Sequence, residues 1–248
     1  MKTLSIAARL IAVTIVLHAA TAGADEIRVL ASVAIKTSVE ALAPKFEKTS
    51  KHTVKTVFDL SATIKGQIEK GEPFDVVIIA PPQVEDLIAK GKVAAESKTD
   101  VARVGLGMMI KAGARKPDMS SVDAFKKSLL AAKSITFAAT GASGVAFLAT
   151  VKQLGIADQI KTKPVATPDE INANILSGAS DLAVLPVSEI LSVKGAELGG
   201  VFPKEVQTIV VMSAGVSANT KGSAAKEFVS FLMSPANSPV FKEKGMER

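Results

Sequence analysis

Short apolar runs alternate with amphipathic segments along almost the whole chain. The run IRVLAS predicts a buried strand, and residues 37–49 repeat apolar positions at Val39, Leu42, Ala43 and Phe46, the spacing of one helix face. HTVKTVFD alternates instead, which predicts a half-buried strand with Val54, Val57 and Phe58 inward. A helix over residues 62–70 closes at Gly71, FDVVIIA follows as a buried strand, and QVEDLIAKG is again helical. Further strands are predicted at RVGLGMMIKAG, ITFAAT, KPVAT, SDLAVLP and TIVVMSAGV. The intervening helices are SSVDAFKKSLLAAKS, capped by Ser120 or Ser121, then SGVAFLATVKQLG, and PDEINANILSG with proline near its start. Two helices, over residues 224–233 and 239–245, end the chain.

This alternation predicts an α/β fold, with helices packed on largely parallel sheet. Two segments resemble each other, IKGQIEKGEPFDVVIIAPP and INANILSGASDLAVLPVS. Helix, glycine and strand in that order are too common in α/β chains to establish a repeat.

The first residues read differently. Lys2 and Arg9 precede the apolar run 10–17, and Ala22-Gly23-Ala24 fits a signal-peptidase site, so residues 1–24 are predicted to be removed on export. The run is far short of the roughly 20 residues of a membrane span, and no later run is long enough. Removing 24 of 248 residues leaves 224, enough for two lobes that each bury a core, and lowers the formal charge from +6 to +4.

Composition then narrows the chemistry. A mild basic excess without a Lys/Arg block, and without Tyr or Trp, argues against nucleic-acid binding. There is no cysteine, and His18 falls in the signal, which leaves His52 in the polar stretch KTSKHTV. A thiol nucleophile is excluded, a Ser-His-Asp triad and the usual zinc sites are disfavoured, and no metal or cofactor is expected. His52 is expected to be solvated. Asp75 and Asp181 each precede a buried strand and read as turn or cap residues. Ser188 and Glu189 read as the start of a solvated helix, and Met108, Met109 and Met212 as core filler.

Four strand–helix junctions remain, at residues 32–36, 60–63, 140–144 and 185–188. In open α/β sheets ligands lie beyond the strand ends, where free N–H groups at helix starts accept anions. Lys36 stands in the first turn of its helix, where the macrodipole disfavours a cation. An anionic ligand beside Lys36 would resolve that conflict; a lysine turned to solvent is the plainer reading.

The stretches VLASVAIKTSVEALAPKFEK, FDLSATIKGQIEKGEPFDVVIIAPPQVEDLIAKGKV, ATGASGVAFLATVKQLGI, SGASDLAVLPVSE and AAKEFVSFLMSPANSPVFKEKGM occur in the order seen in the periplasmic molybdate-binding family of ABC-transporter receptors. The chain resembles that family over nearly its whole length after residue 24. The resemblance implies a two-lobed type II periplasmic-binding-protein fold, each lobe a mostly parallel sheet flanked by helices, joined by two crossing strands. It implies lobe I at residues 26–104 plus 213–248, and lobe II at residues 105–212. An anion would bind between them, at Ala34, Lys36, Ser61, Ala62, Thr140, Ser143 and Pro186.

The chain departs from the family at two of these positions. A ligand hydroxyl of the family matches Ala34, and a frequent tyrosine matches Pro186. Two oxyanion hydroxyls are therefore replaced, which favours a carboxylate over molybdate. Two functions follow from the resemblance. One is a periplasmic receptor that hands a small anion to an inner-membrane ABC permease. The other is an isomerase of unsaturated tricarboxylates, similar to aconitate isomerase, with Lys36, Ser61 and Ser143 as its candidate catalytic residues.

Overall fold

The computed structural model describes residues 25–248, so the predicted signal segment lies outside the described residues. Strand β1 (Glu26–Ser32) enters a 3-10 turn at Val33–Ile35 before helix α1 (Lys36–Ser50) begins. Strand β2 (Thr53–Asp59) and helix α2 (Ser61–Glu69) come next, then β3 (Val76–Ile79) and α3 (Pro81–Ala89). The long strand β4 (Thr99–Lys111) leads to α4 (Val122–Ala131), β5 (Ile135–Ala138) and α5 (Ala142–Gln153). After them come β6 (Thr162–Val165), α6 (Pro168–Ser177), β7 (Leu182–Pro186) and the single turn α7 (Val187–Ile190). The last elements are β8 (Ala196–Val201), β9 (Ile209–Val216), α8 (Ala224–Leu232) and α9 (Ser238–Glu243).

The strands form one path ordered β2-β1-β3-β9-β4-β7-β5-β6, with β8 beside β4. Both ends are parallel, β2-β1-β3 at one and β7-β5-β6 at the other. The middle is antiparallel, because β9 and β4 run against their neighbours. Strand β4 changes partner along its length. Thr99–Gly105 pairs with β9, while Leu106–Met109 pairs with β7 and Gly107–Lys111 with β8. At the change the Gln207 side chain continues the pairing. Its Oε1 accepts from the Leu106 N–H at 2.7 Å, and its Nε2 donates to the Leu106 carbonyl at 3.1 Å.

Helix faces pack as their spacing requires. Val39, Leu42, Ala43 and Phe46 of α1 are buried, and Phe228 of α8 meets Phe46 edge-on at 5.2 Å between ring centres. Gly71 and Gly178 stop α2 and α6 with φ of 99° and 78°, a region only glycine enters without strain. A core of Val29, Ile78, Val104, Leu106, Phe125, Phe147 and Phe202 runs the length of the sheet. A smaller cluster with Leu30, Ile64, Val84 and Leu87 holds α2 and α3 against the sheet. Those two helices are also tied by ion pairs, Lys65 of α2 with Asp86 of α3 at 2.7 Å and Lys90, just past α3, with Glu69 of α2.

Two expectations are corrected. His52 is buried rather than solvated: its ring stacks on Phe46 and its Nδ1 accepts the Asp25 N–H at 3.1 Å. Glu227 of α8 lies 3.6 Å from its Nε2, so an element far along the chain covers this turn. Ser188 is buried too, its hydroxyl donating to the Ala34 carbonyl at 2.6 Å, and this bond ties α7 to the first junction. Among the described residues no helix is long and apolar enough to cross a membrane.

Candidate functional site

Where β1, β2, β5 and β7 end and their helices begin, the chain surrounds a cavity of about 350 Å³. Ala34, Ser61, Ala62, Thr140, Ser143 and Pro186 all line it, so one space joins six of the seven positions named from the sequence. Lys36 is not among the lining residues. Its amine lies 3.8 Å from Glu40 Oε1 and 5.8 Å from the centre of the Phe58 ring, and its side chain is about half exposed (49%). The conflict at the start of α1 is resolved within the chain, by the carboxylate one turn later. The 3-10 turn Val33–Ile35 also separates Lys36 from the end of β1.

Among the described residues, the lining offers neutral hydrogen-bond donors and no lysine or arginine. Helices α2 and α5 begin on opposite walls with Leu60 and Gly141 as N-caps, and neither cap residue offers a side-chain hydrogen bond. The N–H groups of Ser61, Ala62 and Thr63, and those of Ala142, Ser143 and Gly144, make no hydrogen bond within the described chain. They are the orphan donors of a helix start, carrying its partial positive charge. The two walls approach closely, since a Cβ built on Gly141 would lie 3.7 Å from Leu60 Cδ2. Helix α3 also begins here, but Pro81 and Pro82 fill its first positions and remove those donors.

Hydroxyl groups complete the donor set. Ser61 Oγ accepts from the Ala80 N–H and Ser32 Oγ from the Ala34 N–H, each at 3.3 Å. Neither hydroxyl donates a hydrogen bond within the described chain, so each proton is free to turn into the cavity. Ser143 is buried and lines the same wall, while Thr140 stands exposed at the rim. Gly144 lets α5 begin this close to β5: a Cβ there would lie 2.0 Å from the Ala138 carbonyl oxygen.

Three polar lining residues were not singled out from the sequence as ligand contacts: Ser32, Gln83 and Glu189. Gln83 buries its Oε1 without a partner in the described chain. Glu189, expected to be solvated, is partly buried instead, and burial alone pushes its carboxyl up to about 8 from an ordinary 4.5. Ser32 opens the first junction read from the sequence, while no positional signal marks Gln83 or Glu189, each of which gains its place from elements distant in sequence. The rest of the wall is apolar, including Val33, Ala138, Val145, Ala146, Leu185, Val210 and Met212.

A family model described as bacterial extracellular solute-binding protein matches residues 27–247. The chain belongs to this family. Among curated proteins, the solute-binding chain is 28% identical to the aconitate isomerase of a Pseudomonas species over 256 aligned positions, covering 100% of this chain and 96% of that one. It is 25% identical to the molybdate-binding protein of Azotobacter vinelandii over 236 positions, covering 92% of each. Among solved structures, the periplasmic molybdate-binding protein of Azotobacter vinelandii superposes with a TM-score of 0.75 at 21% identity, covering 90% of this chain and 99% of that one. That likeness fixes the fold as the two-lobed type II periplasmic-binding-protein architecture. Within this solute-binding family the described residues contain no cluster of His, Cys, Asp or Glu able to hold a metal ion.

Proposed function

We propose that the chain is exported with residues 1–24 removed and captures a small organic carboxylate for an inner-membrane ABC permease. The observation that carries this reading is the lining itself: neutral donors at one end, apolar wall over most of the rest, and no lysine or arginine. A cavity of about 350 Å³ lies in the range of sites for organic ligands. Hydroxyl and N–H donors hold a carboxylate at the α2 and α5 starts, each bond to the charged group contributing about 1.5–3 kcal/mol. The apolar wall then receives the hydrocarbon part, which a tetrahedral metal oxyanion does not have.

We also infer that lobe I comprises residues 26–104 plus 213–248 and lobe II residues 105–212. Support comes from β4, which changes partner between Gly105 and Leu106, and from α8, which packs on Phe46 of α1. On this division the α2 start belongs to one lobe and the α5 start to the other, so closure clasps the ligand from both sides.

A second reading is favoured by one observation, the carboxyl group of Glu189 on the cavity wall. Its carboxyl is held near 8, so its ionised fraction is a stronger base than an ordinary carboxylate, and that fraction would take a proton from the methylene carbon of an unsaturated tricarboxylate. Returning that proton to the vinylic carbon shifts the double bond and interconverts geometric isomers, with no atom lost or gained. The full-length similarity to an aconitate isomerase supports this reading.

Titration calorimetry with citrate, cis-aconitate, trans-aconitate, sulfate and molybdate tests the first reading. The expected result is a carboxylate bound at least tenfold more tightly than molybdate, a margin of about 1.4 kcal/mol. Submicromolar molybdate binding with no response to any carboxylate would sink it. Proton NMR of cis-aconitate incubated with the protein decides the second reading: a growing vinyl signal of the trans isomer supports it, and an unchanged spectrum retires it.

A further inference from the structure

Among the described residues, Glu189 is the one ionisable side chain on the cavity wall. Within the described chain its carboxyl group accepts no hydrogen bond and forms no ion pair. The elements packed on α7 do not supply a partner. Strand β7 and the 3-10 turn Val33–Ile35 carry no titratable residue; β8 carries Glu197, and β4 carries Asp100, Arg103 and Lys111. Helix α1 carries Lys36 and Glu40, which face each other, with Lys45, Glu47 and Lys48 further along. Lys244, beside the Gly245 turn that touches Val187, pairs with Glu243. None of these groups acts on Glu189, whose raised pKa has burial as its sole cause.

An anion entering this space meets a second carboxylate with no cation between them. Two like charges at close range in a partly desolvated site do not both stay ionised. Resting on the reading of the cavity as an anion site, we propose that Glu189 determines its specificity by being protonated in the complex. It then donates a hydrogen bond to the bound anion, and binding takes up one proton from solvent whenever the empty protein carries the carboxylate.

The preferred substrate class follows. A di- or tricarboxylate that retains one acidic proton meets the same requirement by sharing it with Glu189, as close carboxyl pairs do. Its other carboxylate occupies the α2 and α5 starts. A fully ionised tetrahedral dianion brings no proton and presents a second negative charge to Glu189.

The test is calorimetry of wild type and Glu189→Gln between pH 6 and 9.5, with trans-aconitate, citrate and molybdate as probes and buffers of differing ionisation heat. Above pH 8 the carboxylate probes are fully ionised, so any proton taken up enters the protein. Wild type is expected to take up about one proton near pH 9, and its affinity to fall about tenfold per pH unit. Glu189→Gln is expected to take up none and to show a flat profile. Carbon-13 NMR of glutamate-labelled empty protein supplies a readout independent of ligand: one side-chain carboxyl, missing in Glu189→Gln, should titrate near 8. Titration of every glutamate in the ordinary range would overturn the proposal. Carboxylate binding with identical proton uptake in both proteins would overturn it while leaving the carboxylate reading intact. Binding of molybdate alone, with Glu189-dependent uptake, would overturn that reading and the substrate class drawn from it, and leave only the protonation of Glu189 in the complex standing. Binding of none of the probes would overturn both.

Discussion

Replacing Gly144 with alanine tests the claim that the position of α5 depends on a missing side chain. A Cβ at this position would stand 2.0 Å from the Ala138 carbonyl oxygen, where ordinary contact is 3.4–4 Å. The clash is with backbone, and that carbonyl already accepts the Gly141 N–H at 3.2 Å, so it cannot simply swing aside. The start of α5 must therefore withdraw by about 1.4 Å. Overpacking of this kind costs about 1–3 kcal/mol, against which alanine regains roughly 0.5–1 kcal/mol of helix preference. The net loss of about 1–2 kcal/mol should lower Tm by roughly 3–6 °C for a chain of this size. The same withdrawal carries Ser143 and the neighbouring N–H groups out of hydrogen-bond reach, so affinity for the best carboxylate should fall about 10- to 100-fold. Gly66→Ala is the matched control. It lies inside α2 with nothing within 4 Å of a new Cβ, so alanine should stabilise by about 0.5–1 kcal/mol and leave binding unchanged. Differential scanning calorimetry and ligand titration of both variants decide the matter. A Gly144→Ala protein that melts higher, as the control does, and binds normally would refute the reasoning.

Other outcomes follow from the same geometry. Lys36→Ala should leave carboxylate affinity within about 0.5 kcal/mol of wild type by calorimetry, because its amine is spent on Glu40 and Phe58 outside the cavity. Ser61→Ala removes a ligand donor and orphans the Ala80 N–H, so affinity should fall about 10- to 100-fold, with about 1 kcal/mol of stability lost in urea melts. Glu189 binds a proton more tightly in the folded chain, near 8, than in the unfolded chain, near 4.5. Its contribution is thus fully present below about 4.5, is lost as pH rises through this window, and levels off above about 8. Each pH unit within the window changes stability by about 1.4 kcal/mol, and Glu189→Gln should flatten this slope in urea melts from pH 5 to 9.

Much of the sheet was legible because its strands are runs that need no context. VVII is buried on both faces and reads so on sight, and the 3.6-residue spacing in α1 names its own buried side. Strand β8 was missed for a physical reason: AELGGV carries two glycines and no alternation, and it is a strand only because β4 offers it an edge. The site was legible where it consists of backbone, since strand ends and helix starts can be counted along a sequence. It was illegible where tertiary burial decides a side chain's fate. His52 sits among polar neighbours, yet Phe46 and α8 enclose it. Glu189 follows a serine that fits a helix start, yet β4 and β8 pack against its helix and leave it partly buried, with its carboxyl pushed up to about 8. With Lys36, charge alone drew attention to a junction whose first residues line the cavity, but the 3-10 turn before α1 put the amine outside it.

The clasp of Gln207 on Leu106 has a mechanical meaning. A ladder of main-chain hydrogen bonds resists sliding because each rung is fixed to the next through the peptide plane. The pair of bonds at Leu106 hangs instead from the torsions of one side chain, which swivel without disturbing the rungs on either side. The step along β4 between its β9 and β8 partners is thus bridged in part by a side chain, alongside the Phe202 N–H that also donates to the Leu106 carbonyl at 3.1 Å. Gly105, where a Cβ would come within 3.0 Å of Gln207 Nε2, keeps that step free of a side chain that would wedge the clasp open.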